Sequence, residues 1–277
     1  MLENGLPVSG VITMESSTTN ADFHSLLPLS EEYGIDCYCT KNINDEKTNR
    51  FVKSKTPDVI YCFGWSRLIG KELLSLPKHG AIGFHPAAIP FNRGRHPLIW
   101  ALALGLTKTA STFFVMDEGA DTGDIISQKE IMIEYEDNAQ SLYDKVIQTA
   151  KEQVMDFTIK LSNGMLTRTP QDKGCGNTWR KRGHLDGQID WRMSCEGIYN
   201  LVRALTHPYV GAHFMNDELE IKVWKCQINK CDTHMNIEPG KVLKVNSETD
   251  FEIKAYDGVV HILDCDMVRL KEGEYLR

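Results

Sequence analysis

A histidine immediately preceding a proline closes an apolar run, "GAIGFHPAAIP", at residues 80–90. Proline pushes the residue before it out of the helical region, so His85 is expected in an extended conformation at the end of a buried strand. A second apolar run, "TFFVMDEGADTGD" at 112–124, ends in an acidic, glycine-containing loop that carries Asp117, Glu118 and Asp121. A carboxylate beside an imidazole orients the ring and raises its basicity, which suits general-base work near neutral pH. Taken singly, each feature has a plainer reading: a packed histidine, and good turn chemistry in Asp-Thr-Gly. Together, at neighbouring strand ends, they point to a site.

The elements that must position these residues are legible as pattern. The first 165 residues alternate short apolar strands with helical stretches, which predicts a Rossmann-like, doubly wound, mostly parallel α/β sheet. Ligands of such sheets bind beyond the carboxyl ends of the strands. "PDVIYCFGWS" (57–66) delivers Phe63, Gly64, Trp65 and Ser66 to that end. "HPLIWALALG" reads as a buried helix. "NADFHSLLPLSEEYG" reads as a helix with an Asn start, a Gly stop and an internal proline, Pro28, that breaks or kinks it. The segment 139–164 is a long amphipathic helix, with Leu142, Val146, Ala150 and Val154 repeating at four.

Residues 166–208 form a polar, basic, Gly-rich linker or loop ("TRTPQDKGCGNTWRKRGHLDGQ") followed by one more helix capped by Ser194. Residues 209–277 carry short strands separated by turns, which predicts a small C-terminal β domain.

Composition narrows the classes. The 277 residues are 42% hydrophobic and 25% charged, enough for a core without staples, and the net charge is -7. Large nucleic acids are usually gripped by a basic face, so none is expected as main partner. No apolar run reaches the roughly 18 residues of a membrane span, and the start shows no secretory pattern, so no membrane partner and a cytoplasmic location are expected. Eight cysteines include no Cys-x-x-Cys pair, and the histidine spacing completes no zinc set. Reduced thiols and no metal are expected.

The segments "HPAAIPFNRGRHPLIWALALG" and "TASTFFVMDEGADTGDIISQ" resemble the N10-formyltetrahydrofolate-dependent formyltransferase family. "GQIDWRMSCEGIYNLVRALTHPYVGAHF" resembles the stretch leading into that family's C-terminal region. "CFGWSRLI", "FNRGRHPLIWAL" and "NTWRKRG" look most like the bacterial sugar N-formyltransferases. The resemblance implies transfer of a formyl group to the amine of a nucleotide-linked 4-amino-4,6-dideoxy sugar for surface polysaccharide such as O-antigen. His85 would accept the amine proton and Asp121 would hold and support His85. The folate is expected against Phe63, Gly64, Trp65, Ser66, Leu68, Asp117, Glu118 and Gly119. Arg93, Gly94, Arg95, Arg180 and Arg182 are candidates for the sugar nucleotide, since Arg forks match phosphate. A methionyl-tRNA formyltransferase, a formyl-folate hydrolase and a silent binding protein remain open, and a homodimer fits the family.

Two departures stand out. The family pattern has Asn two residues before the catalytic His, where strand alternation puts both side chains on one face; here that position is Gly83. Asn92, a water or protonated His85 could supply the missing oxyanion donor, or the protein could be inactive. Second, the family opens with a central strand and a helix, and "MLENGL" looks like the tail of that helix, so the expectation is either a protein lacking the usual first strand or a start upstream of the given sequence.

Overall fold

The computed structural model describes residues 1–16, 23–65, 67–172, 174–229 and 236–276. Its elements, in chain order, are β1 (Val11–Thr13), α1 (Leu27–Glu32), β2 (Cys37–Cys39), α2 (Glu46–Lys55), β3 (Ile60–Cys62), α3 (Lys71–Leu74), β4 (Ala81–His85), β5 (Arg93–Gly94), α4 (Pro97–Ala103), β6 (Lys108–Val115), β7 (Ile125–Met132), α5 (Ala139–Ser162), β8 (Thr178–Trp179), α6 (Cys195–Leu205), β9 (Ala212–Asn216), β10 (Leu219–Asn229), β11 (Val242–Val245), β12 (Phe251–Ala255) and β13 (Gly258–Cys265). A 3-10 turn spans His184–Gly187. Two compact units emerge: residues 1–94, 110–131 and 145–179 form the first, and residues 95–109, 132–144 and 180–277 the second.

In the first unit β1 and β2 pair in parallel as a two-stranded sheet, and β3, β4, β6 and β7 form another in that order. The β3–β4 pair is parallel, as the alternating pattern predicts, whereas β6 enters antiparallel to β4. Ile12 of β1 and Ile60 of β3 both pack against Ile43, Val52, Ile69 and Leu73. Under the second sheet, α5 applies its predicted face. Leu142, Val146, Ala150 and Val154 are all buried, and Ala150, Val154 and Phe157 close on Ile82 and Phe113. The same four-residue spacing that identifies the helix thus supplies the apolar cover that this face of the sheet needs.

Two helix starts follow local chemistry. The Asp45 carboxylate accepts from the Thr48 N–H at 2.7 Å and begins α2. Pro28 lies in the first turn of α1, where its missing N–H costs nothing, so it opens that helix instead of breaking it. The Asn20 start signal falls outside the described residues.

The second unit holds an antiparallel sheet in the order β11–β12–β13–β10–β9. Its helix α6 begins where Ser194 Oγ accepts from the Gly197 N–H at 3.1 Å, as its sequence predicts. This helix packs on β10 and on α4. Among the described residues no helix is long and apolar enough to cross a membrane.

Candidate active site

His85 ends β4, opposite Thr112 of β6, and is only 5% exposed. Beyond it the chain is held at three points. The Ala87 N–H donates to the His85 carbonyl at 2.9 Å, the Thr112 hydroxyl to the Ala87 carbonyl at 2.7 Å, and Gln128 Nε2 to the Ile89 carbonyl at 2.9 Å. Asn92 then adopts the left-handed region (φ +63°), which Asn tolerates better than most residues. That turn aims its carbonyl at His85 Nε2, 2.7 Å away. A carbonyl only accepts, so Nε2 carries the proton and Nδ1 is left as the basic nitrogen. Nδ1 lies 3.6 Å from Asp121 Oδ2.

Asp121 is itself tightly held. Its backbone is left-handed (φ +58°), and its Oδ2 accepts from the Gly94 N–H at 3.0 Å. Its carbonyl accepts from Gln171 Nε2 at 2.9 Å and Arg93 Nε at 3.1 Å. Gln171, 8% exposed, also donates to the Gly123 carbonyl and accepts from Arg93 Nη2 at 2.6 Å. The imidazole is therefore fixed from one side by a main-chain carbonyl and faced from the other by a braced carboxylate. This arrangement can accept a proton and stabilise the resulting charge.

Gly94 is required where it stands. Its φ is +102°, and an added Cβ would lie 2.3 Å from the Trp179 carbonyl across the β5–β8 pair. Gly94→Ala is expected to cost about 3 kcal/mol through backbone strain and that collision. It should also withdraw the N–H from Asp121. An unchanged thermal midpoint in the alanine variant would contradict this.

In the second unit, Arg180 and Arg182 flank Trp100, and Arg95 bears on the neighbouring His96. The Arg182 and Arg180 guanidinium carbons lie 4.6 and 5.3 Å from the Trp100 ring centre. Trp100 Nε1 donates to the Arg180 carbonyl at 3.0 Å. Arg180 grips the Asp186 carboxylate through both terminal nitrogens, and Arg182 donates to the Asp186 carbonyl. The Arg180 bonds, and then the Gly183 N–H, hold the Asp186 carboxyl well below the usual range. Burial, and then the charges of Arg95, Arg182 and Lys181, push His96 below its ordinary value, so this corner carries a positive local field.

The N-terminal model of the formyl transferases matches residues 12–158, and their C-terminal domain model matches residues 183–271. The chain belongs to the formyl transferase family. Solved structures share its fold at low identity. HypX from Aquifex aeolicus, in complex with tetrahydrofolic acid, is 20% identical with a TM-score of 0.68; the match covers 94% of this chain but only 44% of HypX. WlaRD, a sugar 3N-formyltransferase solved with dTDP and 5-N-formyl-THF, is 18% identical with a TM-score of 0.67, covering 94% of this chain and 88% of that one. The methionyl-tRNA formyltransferase from Clostridium thermocellum is 18% identical with a TM-score of 0.62, covering 95% and 100%.

Against the formyl transferase pattern, Gly83 now has a structural context. It pairs with Phe114, and a Cβ there would meet Phe114 Cζ at 2.8 Å and Met116 Cγ at 3.0 Å. The room for a family Asn side chain is taken by two apolar ones.

The residues expected at the folate are divided. The half-exposed Phe63 ring touches Tyr61, Phe84 and Phe113. Gly64 is left-handed, with open space where a Cβ would be. Trp65 packs into the cluster around Val52 and Leu73, and its buried indole N–H has no partner among the described residues. Leu68 is exposed and accepts from Asn44 Nδ2 through its carbonyl at 3.0 Å. Asp117 braces its own loop, accepting from the Gly119 N–H at 3.0 Å and the Thr122 hydroxyl at 2.6 Å. Glu118 pairs with Lys71 on the surface at 3.3 Å. Ser66 lies outside the described residues.

Sequence reasoning missed Gln171, Gln128, Thr112 and Asn177, whose Oδ1 accepts from the Asn92 N–H at 2.8 Å. Thr112 gave a weak signal as a polar residue in an apolar strand. The others lie among polar neighbours that conceal them.

Proposed function

We propose that this protein transfers a formyl group from N10-formyltetrahydrofolate to the amino group of a nucleotide-linked 4-amino-4,6-dideoxy sugar used in surface polysaccharide. The observation that carries the reading is the hydrogen bonding of His85. Its Nε2–H is committed to the Asn92 carbonyl, which leaves Nδ1 as a base beside Asp121. The folate supplies an activated formyl carbon. His85 Nδ1 takes the proton released by the attacking amine, and the Asp121 carboxylate supports the imidazolium. The exposed ring edge of Phe63 and the open backbone at Gly64 suit a flat heterocycle.

Negative charge on the formyl oxygen needs a donor, and Gly83 offers none. The Asn92 carboxamide has no hydrogen-bond partner among the described residues, so it is assigned this task. Asn92→Gly removes the carboxamide while tolerating φ +63° and keeping the carbonyl that holds His85. The expected result is a fall in kcat of about 10²- to 10³-fold with little change in thermal midpoint. Wild-type turnover in this variant would assign the oxyanion to another group.

The acceptor reading draws on the positive field at His96, which suits a diphosphate. It also draws on the likeness to WlaRD, solved with dTDP. A net charge of -7 does not favour tRNA. One assay separates the choices: N10-formyltetrahydrofolate is mixed with nucleotide-linked 3- and 4-amino sugars, with methionyl-tRNA, or with no amine. Amine-dependent tetrahydrofolate release with a 4-amino sugar supports the proposal, and release with 3-amino sugars alone overturns its choice of amine. Release with tRNA alone, or without any amine, overturns it. Gly83 and its apolar cover favour one second reading, a binding protein that holds both ligands without turnover; binding without release would establish it.

A further inference from the structure

The second unit brings together three groups that no sequence spacing linked. In the β9–β10 pair His213 stands opposite Lys222, and Glu220, two residues before Lys222, shares its face. The bridge between Gln188 and His213 draws in the 3-10 turn that begins with His184. As a result His184 Nε2 touches Glu220 Oε2, and His213 Nε2 lies 3.7 Å from that same oxygen. The two imidazole rings are 4.4 Å apart and tilted by 31°. Lys222 Nζ takes the other oxygen, Oε1, at 2.5 Å. All three potential ligand atoms lie within 4.8 Å of one another.

The position of His213 is the telling one. The residue is 2% exposed, and its Nε2 is buried with no hydrogen-bond partner among the described residues. A buried imidazole nitrogen left unpaired is costly unless something binds it. The 184–187 turn packs directly on the ring: a Cβ at Gly187 would lie 3.4 Å from His213 Nδ1. Two imidazoles and one carboxylate oxygen are ligands of the borderline divalent transition metals, with zinc the commonest.

We propose that His184, His213 and Glu220 form a binding site for a divalent transition metal ion, zinc in the first instance. The ion would replace the direct His184–Glu220 contact. Ligand atoms around tetrahedral zinc are about 3.3 Å apart, a spacing that a small rotation of the exposed His184 ring supplies. The site would pin the 184–187 turn to the sheet, and Asp186 of that turn holds Arg180 and Arg182.

The test is independent of formyl transfer. Untagged full-length protein is stripped with a chelator and titrated with Zn²⁺ against a chromophoric competitor, and with Co²⁺ by visible absorption. The expected result is one zinc per chain, a raised thermal midpoint, and visible bands on Co²⁺ binding. His184→Ala, which removes an exposed ring, and Glu220→Gln should each weaken zinc binding at least tenfold and abolish the thermal shift. No stoichiometric uptake by the wild type, or unchanged affinity in both variants, overturns the proposal.

Discussion

His85→Gln is expected to lower kcat for formyl transfer by about 10²- to 10⁴-fold, the range supplied by a positioned general base. Glutamine keeps a polar side chain of similar reach, so the change targets basicity more than packing. The folate should still bind, because among the described residues the polar partners of the His85 side chain are Asn92 and Asp121, neither of them offered to the folate. The loss is therefore expected in kcat, with the folate KM moved by no more than a few-fold. Asp121→Asn should cost less, about 10²-fold, since the amide oxygen can still accept from the Gly94 N–H while the charge that supports the imidazolium is gone. A His85→Gln enzyme with near wild-type kcat would sink the general-base role. A loss confined to KM would turn His85 into a binding residue.

Much of this site was legible because its parts are local. Pro86 fixes the backbone of His85 and apolar alternation fixes β4 and β6; because the two run antiparallel, the end of β6 lies beside Ile82, and it is the loop after it that carries Asp121 to His85. What holds the imidazole was not legible, because it is the carbonyl of Asn92. Which way a carbonyl points depends on a left-handed turn and not on a residue type. The braces on Asp121 were hidden for another reason: Gln171 comes from the polar stretch 166–208, where composition reads only as loop. Its contacts arise from the bridge between Ile125 and Thr169, a pairing across the chain that no periodicity announces. The direction of β6 was also missed. Alternating strands and helices predict parallel neighbours, yet β6 returns antiparallel to β4, and the acidic loop follows it directly.

The same contrast appears at Arg203. The chain shows only an apolar helix, "GIYNLVRALTHP", carrying one arginine, and an arginine on such a helix is usually solvated. Here it is 8% exposed. Its guanidinium donates to Asn200 Oδ1 at 2.8 Å and to the carbonyls of Glu134, Tyr135 and Asp137 at 3.2, 3.2 and 2.9 Å. The neighbouring Tyr199 ring stacks on Tyr135 at 4.9 Å and lies under the guanidinium. Arg203 thus closes the 134–137 turn within the second unit, serving carbonyls that precede α5 and have no strand to pair with. Arg203→Met fills similar volume but removes a donor from the buried Asp137 carbonyl and from Asn200 Oδ1, while the Glu134 carbonyl keeps the Asp137 N–H and the Tyr135 carbonyl keeps the Tyr199 hydroxyl. At about 1–3 kcal/mol for each of the two buried acceptors, with partial relaxation, the expected cost is about 3 kcal/mol. For a chain of this length that corresponds to a fall of roughly 8 °C in thermal midpoint. Arg203→Lys should recover only part of it, because one ammonium cannot span acceptors arranged for a planar fork. Scanning calorimetry of the full chain checks this: a methionine variant within 2 °C of wild type (under about 1 kcal/mol) would mean that water or a local shift satisfies the carbonyls and that the arginine is dispensable to the fold.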